Sequence, residues 1–276
     1  MLLSPFTPLY FGDHKRDGID GRYIQTFAPS DQILIEMICE QGEDVGDLVL
    51  YSEPHHVRLA VIGTSVWPIN ETSEVRFAVL SPSRGCYSVE IGGKTSNIFR
   101  VTDDANTLEN TTLIQYSMNS NRHRKDAIFF IDGMQRFFDF RVPGGFKDSN
   151  WGFAVEGEQF VTDKSDIMQL YGLDSTQKKF TLGNSEGCPV WFAELLNRLL
   201  CCTYVYFDGE RYARKDTSAP EITVLLDGVN SFVFTQNLQK VVNIDPVLTM
   251  QHRAIMRRID NTDYRLVTTD INRLTN

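Results

Sequence analysis

The sequence predicts a mainly β (α+β) protein made of two β-sandwich-like domains, the second with an inserted amphipathic helix. Three observations carry that prediction. Short strand signals recur at roughly ten-residue spacing through the first 103 residues. Apolar side chains at three-to-four spacing mark one helix over residues 189–200. Asp208-Gly209 sits between Tyr204–Phe207 and Glu210–Arg214, the form of a hairpin closed by a two-residue turn that tolerates positive φ. With 276 residues, 42% of them hydrophobic and 11% aromatic, the chain has enough apolar material to fill a sizeable core. The expected organisation is an N-terminal β-sandwich domain over 1–103, a β-rich domain over 104–244, and a C-terminal helix or arm over 245–276.

Leu2–Phe11 is rich in Pro and aromatic residues, and Gly12–Gly21, GDHKRDGIDG, reads as a charged loop. Asp13, Asp17 and Asp20 do not follow the one-three-five ligand spacing of a calcium loop, so a solvated loop is the expectation. The strand series then opens with Arg22–Phe27 and Gln32–Cys39. In the second of these Ile33, Ile35 and Met37 share one face and Leu34, Glu36 and Ile38 the other. Leu48–Ser52, Val57–Gly63, Val75–Val79, Cys86–Ile91 and Ile98–Val101 continue it, separated by Pro, Gly, Asn and Ser clusters.

Asp103–Asn110 is polar and lacks hydrophobic periodicity, which places a soft boundary there. Thr111–Met118, Ala127–Ile131 and Arg136–Val142 resume strand character, and Pro143-Gly144-Gly145 reads as a strong turn. Asn150–Phe160 is rich in glycine and aromatics, and Ser165–Leu173 carries Ile167, Met168, Leu170 and Tyr171. Pro189 suits a first helical turn, and Trp191, Phe192, Leu195, Leu196 and Leu199 form one stripe, with Glu194, Asn197 and Arg198 between them. Glu221–Leu226 and Ser231–Thr235 flank Asp227-Gly228-Val229-Asn230 as a further hairpin, and Gln236–Ile244 is a weaker strand. Beyond it Asp245-Pro246 begins a helix or a mobile arm with five arginines against three aspartates over 246–276, the opposite sign to the whole chain. That combination suits docking on an acidic neighbouring copy; an ordinary solvated terminus is the alternative.

A net charge of −9 and a pI near 5.1 argue against nucleic acid as a partner. No run approaches the ~20 apolar residues of a bilayer crossing. Met1-Leu2-Leu3-Ser4-Pro5 is interrupted too early for a signal segment, so a soluble, unsecreted chain without a membrane span is expected. The five cysteines are Cys39, Cys86, Cys188, Cys201 and Cys202, and they fit neither a disulfide framework nor zinc spacing. Cys188 stands at a helix start, where a thiol pKa can fall, yet it has no sequence-evident base and reads as inert. His55 and His56 share a metal only if they sit on a loop. Glu156 and Glu158, near Trp151 and Phe153, have the form of a glycosidase pair, with surface decoration the simpler account. No phosphate loop, dinucleotide fingerprint, zinc helix or nucleophile elbow occurs. The sequence therefore assigns no catalytic, cofactor-binding or metal-ligating residue, and the chain reads as no enzyme.

The succession GCYSVEIG (85–92), SNIFRV (96–101), TLIQYS (112–117) and FRVPGGF (140–146) resembles tail-tip structural proteins of bacteriophages and prophages, distal-tail or baseplate-like. The likeness continues through Leu182–Gly187, Pro189–Trp191 and Phe207–Gly209, and spans about residues 80 to 215. It implies a structural virion protein that assembles, in the host bacterial cytoplasm, into a homo-oligomeric ring or connector. The ring would join tail tube to receptor-binding apparatus, with other tail proteins as partners and no cofactor. The competing reading is a carbohydrate-binding β-sandwich protein using Trp67, Trp151 and Tyr212 as exposed aromatics, and a hydrolase built on Glu156 and Glu158 stands third.

Overall fold

The computed structural model describes residues 1–12, 23–121, 126–131, 133–161, 163, 165–185, 187–215, 219–226 and 231–241. The charged loop with Asp13, Asp17 and Asp20, the turn over 227–230 and the C-terminal segment over 245–276 lie outside them. The chain is mainly β, with sandwich-like sheets and a small helical content.

The N-terminal part contributes β1 (Leu2–Leu3), β2 (Gln25–Phe27), β3 (Ile33–Glu40), β4 (Leu48–Ser52), β5 (Val57–Ile62), β6 (Ser65–Pro68), β7 (Ser73–Leu80), β8 (Gly85–Ile91), β9 (Lys94–Thr95) and β10 (Phe99–Val101). They form two sheets, β1-β3-β7-β6 and β2-β10-β8-β4-β5 with β9 on β8. Between the sheets lie Ile33, Ile35 and Met37 of β3, Leu48 and Leu50 of β4, Val89 and Ile91 of β8, and Phe27 and Phe99. The alternation in β3 has a second consequence. Its other face, Leu34 and the half-buried Ile38, joins Val75 and Phe77 in a different core, shared with the rest of the chain. The first sheet is thus covered on both faces, and Glu36, on that second face, is fully buried.

The remainder supplies α1 (Ala105–Glu109), β11 (Thr111–Ser117), β12 (Phe130–Ile131), β13 (Met134–Gln135), β14 (Phe138–Val161), β15 (Ile167–Leu182), α2 (Val190–Leu199), β16 (Tyr204–Phe207), β17 (Glu210–Arg214), β18 (Glu221–Leu226) and β19 (Ser231–Lys240). Seven of these strands run β15-β14-β11-β16-β17-β19-β18, and a ladder from Gln177↔Gln239 to Leu182↔Phe234 joins β15 back to β19. The sheet closes on itself around Ile114, Phe140, Val142, Phe180, Leu182, Val205, Phe207, Phe234 and Leu238, a small barrel filled by side chains. Helix α2 packs onto this core with Phe192, Leu195, Leu196 and Leu199 buried, while Glu194 and Asn197 are exposed, as its periodicity predicts. Phe192 packs on Phe140 at 5.3 Å and on Tyr23 at 5.1 Å. Pro189 is the residue preceding the helix, extended at ψ 158°, one step outside the first turn expected for it.

The β16–β17 hairpin forms as read, with Asp208 and Gly209 at φ 45° and 82°, and the Asp208 carboxylate accepts the Leu113 N–H at 2.9 Å. Three expectations are corrected. Asp103–Asn110 contains a one-turn helix, α1, capped by the Asp104 carboxylate on the Thr107 N–H at 3.0 Å; a five-residue helix is too short to show periodicity. Pro143-Gly144-Gly145 makes no turn: it continues β14, where Gly144, at φ 117°, lies against β15 so closely that a Cβ would stand 2.1 Å from the Thr181 carbonyl oxygen. Asn150–Phe160 also lies within β14, and a Cβ at Gly152 would meet the Gln177 side chain at an ordinary 3.5 Å. Gln236–Ile244 begins within β19, which runs unbroken from Ser231 to Lys240.

Candidate assembly surface

Strands β14 and β15 outrun the barrel. Toward the root, β14 pairs with β11 from Phe138 to Pro143, and β15 pairs with β19 from Gln177 to Leu182. Beyond Gly152↔Gln177 the two strands pair with each other alone, through Phe153↔Thr176, Val155↔Asp174 and Gly157↔Gly172 to Val161↔Ile167. The result is a two-stranded ribbon, 153–161 against 167–176, which at ~3.3 Å per residue is roughly 30 Å long. One irregularity between Glu158 and Gln159 leaves Leu170 as an extra residue on β15, and the Gln159 amide donates to Gln169 across the ladder at 2.8 Å.

The alternation along this ribbon brings Trp151, Phe153 and Val155 to one face of β14. Trp151 and Phe153 lie parallel, with ring centroids 6.1 Å apart and 10° between planes. The Lys178 ammonium sits 3.8 Å from the Trp151 centroid and 5.4 Å from that of Phe146, whose ring packs against Phe180, Phe207 and Tyr212 in the barrel. The cation thus ties the base of the ribbon to the body. Further out the apolar side chains lose cover: Phe153 is 81% exposed, Val155 71% and Ile167 62%, with Val161, Phe160, Met168 and Leu170 each more than half exposed. A lone two-stranded hairpin is marginal in water, and apolar side chains on both its strands give it no internal core to bury them in.

A second apolar strip lies on β5, an edge strand of the N-terminal sandwich, where Val57, Leu59 and Val61 are all at least half exposed. Arg58 and Ala60 alternate with them, so the edge carries one charge and no proline to blunt it.

The residues singled out for chemistry do not converge. His55 and His56 lie in the β4–β5 turn, both exposed. His56, at φ 50°, stacks on Tyr51 at 4.0 Å, and its Nδ1 is 2.9 Å from the Glu53 carboxylate, which also accepts the Ser88 hydroxyl at 2.7 Å. Among the described residues no group of three or more His, Cys, Asp or Glu side chains is placed to share a metal ion. Cys188 is buried, and burial pushes its thiol up to about 12, which leaves no thiolate nucleophile there at neutral pH. Glu158 is exposed on the ribbon; the Glu156 side chain lies outside what the structure describes. Of the three aromatics read as exposed, only Trp151 is: Tyr212 is 2% exposed inside the barrel and Trp67 packs half-buried against the shared core. Tyr212 is drawn inward because it pairs with Lys240 at a strand junction and offers its hydroxyl to Glu210 at 2.9 Å. Gly152, Gly157 and Gly172 give the ribbon's segments the look of turn-rich sequence and mask its strands. The signal present was the period-two run Trp151, Phe153, Val155.

No helix among the described residues is long and apolar enough to cross a membrane. No family model matches the chain, and no curated protein matches it. A solved structure described as Dpr2 Ig1-Ig2 in complex with DIP-Theta Ig1-Ig3 overlays 86% of this chain and 90% of that chain at 9% identity, with a TM-score of 0.18, too low to bear on fold or function.

Proposed function

We propose that this protein is a structural assembly subunit, a component of a phage or prophage tail tip that builds into a ring or connector between tail tube and receptor-binding apparatus. The observation that supports this most is the ribbon, an apolar arm of two strands whose side chains are largely exposed among the described residues. A ring contact is heterologous: one surface on a subunit meets a different surface on the next. The ribbon and the β5 strip are two such uncovered surfaces on one chain. The sequence resemblance over residues 80 to 215 supplies the biological setting.

One observation favours a second reading. Parallel, exposed Trp151 and Phe153 rings have the form of a sugar-stacking platform, which fits a carbohydrate-binding protein. The test is light scattering across a concentration series together with negative-stain microscopy, for the full chain and for a Phe153→Ser/Val155→Ser variant, beside glycan-array binding. Closed rings or oligomers that the double variant loses are expected, with a blank array. Oligomers unaffected by the double variant, or a monomer that binds a glycan through Trp151, overturn the proposal.

A further inference from the structure

Where the N-terminal sandwich meets the barrel, two carboxyl groups are buried, and neither has a cation of its own among the described residues. Glu36 extends from β3 into the apolar layer of Leu34, Val75 and Phe77 and is 0% exposed. One of its oxygens accepts the Ile128 N–H at 3.2 Å, from the stretch joining β11 to β14; the other, Oε2, is buried without a hydrogen bond. The nearby Ser4 hydroxyl is committed to the Asp126 carbonyl oxygen at 2.6 Å. Among the described residues, the titratable groups facing Glu36 are the Asp126 carboxyl and the buried Tyr116 hydroxyl, which donates to the Phe6 carbonyl oxygen at 2.8 Å; neither offers a positive charge.

The second carboxyl is Asp139 on β14, 4% exposed. It accepts the Gln32 N–H at 2.9 Å and the Gln115 amide at 3.0 Å, and the Asp139 N–H donates to the Gln32 carbonyl oxygen at 3.2 Å. The charged groups facing it are Asp31 and Arg141, and these two satisfy each other. The Arg141 guanidinium grips Asp31 with two hydrogen bonds, at 2.7 and 2.9 Å, one end of a link across the same joint. A charge on Asp139 therefore stands beside an anion whose countercharge is already taken.

We propose that this joint is a protonation-controlled latch: Glu36 and Asp139 hold the sandwich against the barrel as neutral acids, and their ionisation as pH rises loosens the two bodies from one another. Burial is the main cause holding both groups protonated, pushing Glu36 from 4.5 up to about 8 and Asp139 from 3.8 up to about 6. The sign follows from proton counting. The closed joint binds protons that the opened, solvated carboxyls have released, so opening becomes easier as pH rises above the ordinary carboxyl values of 3.8 and 4.5; the Asp139 contribution is complete near 6 and that of Glu36 near 8, and the effect levels off above both. Below the ordinary carboxyl range both states are protonated and the latch is fully closed.

Amide hydrogen exchange on the full chain between pH 5 and 9, corrected for intrinsic rates, tests this. Protection of the Ile128 amide is expected to fall about tenfold or more over that range. Val89, bonded inside the sandwich to Ser96, and Asp208, whose N–H in the β16–β17 turn bonds to the Leu113 carbonyl oxygen of the barrel sheet, should keep theirs. Glu36→Gln, which keeps the shape and removes the titration, should flatten the Ile128 profile; Asp139→Asn should do the same at Gln32. A flat Ile128 profile in the wild-type chain overturns the latch, as does a parallel fall at Val89 and Asp208, which would mean global unfolding. Unchanged pH dependence in both variants overturns it equally.

Discussion

Strands β14 and β15 live in two environments within one hydrogen-bonded ladder. Near the root Phe138, Phe140, Val142, Phe180 and Leu182 are 0% exposed; a few residues along, Phe153 is 81% exposed. The cross-strand pairing is continuous apart from irregularities between Phe146 and Trp151 and between Glu158 and Gln159. The difference is what flanks it: β11 and β19 close the root into a barrel, and no described strand flanks the ribbon. Backbone pairing alone therefore does not bury a strand's side chains. Cover from a second layer does, and among the described residues no such layer reaches the ribbon.

The comparison breaks most visibly if the two regions respond alike to truncation. Phe180→Ala removes a buried ring in contact with Phe146 and Phe207 and should cost about 3–5 kcal/mol, by lost transfer energy plus the cavity left behind. Phe153→Ala should stay within about 0.5 kcal/mol. Urea melts of the two variants decide it, and equal midpoints would mean that the ribbon is covered by the body after all.

Two glycines of β14 sharpen the contrast at smaller magnitude. An alanine at Gly144 must hold φ 117° with its Cβ 2.1 Å from a backbone oxygen, so Gly144→Ala should cost more than about 2 kcal/mol. At Gly152, where the ribbon leaves the barrel, a Cβ meets only the Gln177 side chain at 3.5 Å, and Gly152→Ala should be neutral within about 0.5 kcal/mol. Matching thermal midpoints for the pair would contradict the claim that the root is tightly packed.

How much of this was legible in the sequence depended on whether a local pattern had a single structural solution. Helix α2 was, because Phe192, Leu195, Leu196 and Leu199 repeat at helical spacing beside Pro189. The β16–β17 hairpin was, because Asp208-Gly209 between aromatic runs has few other uses. Strand β3 was legible down to which residues share a face, and the placement of Glu36 among apolar side chains follows from it. The Pro143-Gly144-Gly145 stretch was not, since those residues serve equally in a turn or where two strands approach too closely for a Cβ; only the partner strand distinguishes these. Closure of the barrel through β15 and β19 is a contact across more than fifty residues, to which local pattern is blind. The ribbon was half legible: its alternation was present, but exposure on both sides of a hairpin is a property of what does not pack there.

The smallest effect expected is at the seam between the two regions. Lys178 pairs with Trp151 in register, its ammonium is 3.8 Å from that ring's centroid, and it reaches toward Phe146, the last ring anchored in the barrel. An ammonium over an exposed indole is worth about 0.5–1 kcal/mol, and it is the described side-chain link that bridges the ribbon's first ring to the body. Lys178→Gln should therefore leave the urea midpoint within about 1 kcal/mol of the wild type, while amide protection on the ribbon around Phe153 drops and protection at Phe180 holds. If protection drops at both positions, the lysine is bracing the barrel rather than the arm. If it drops at neither, the ribbon's orientation is set by the backbone ladder alone, and the seam lies further out than Trp151.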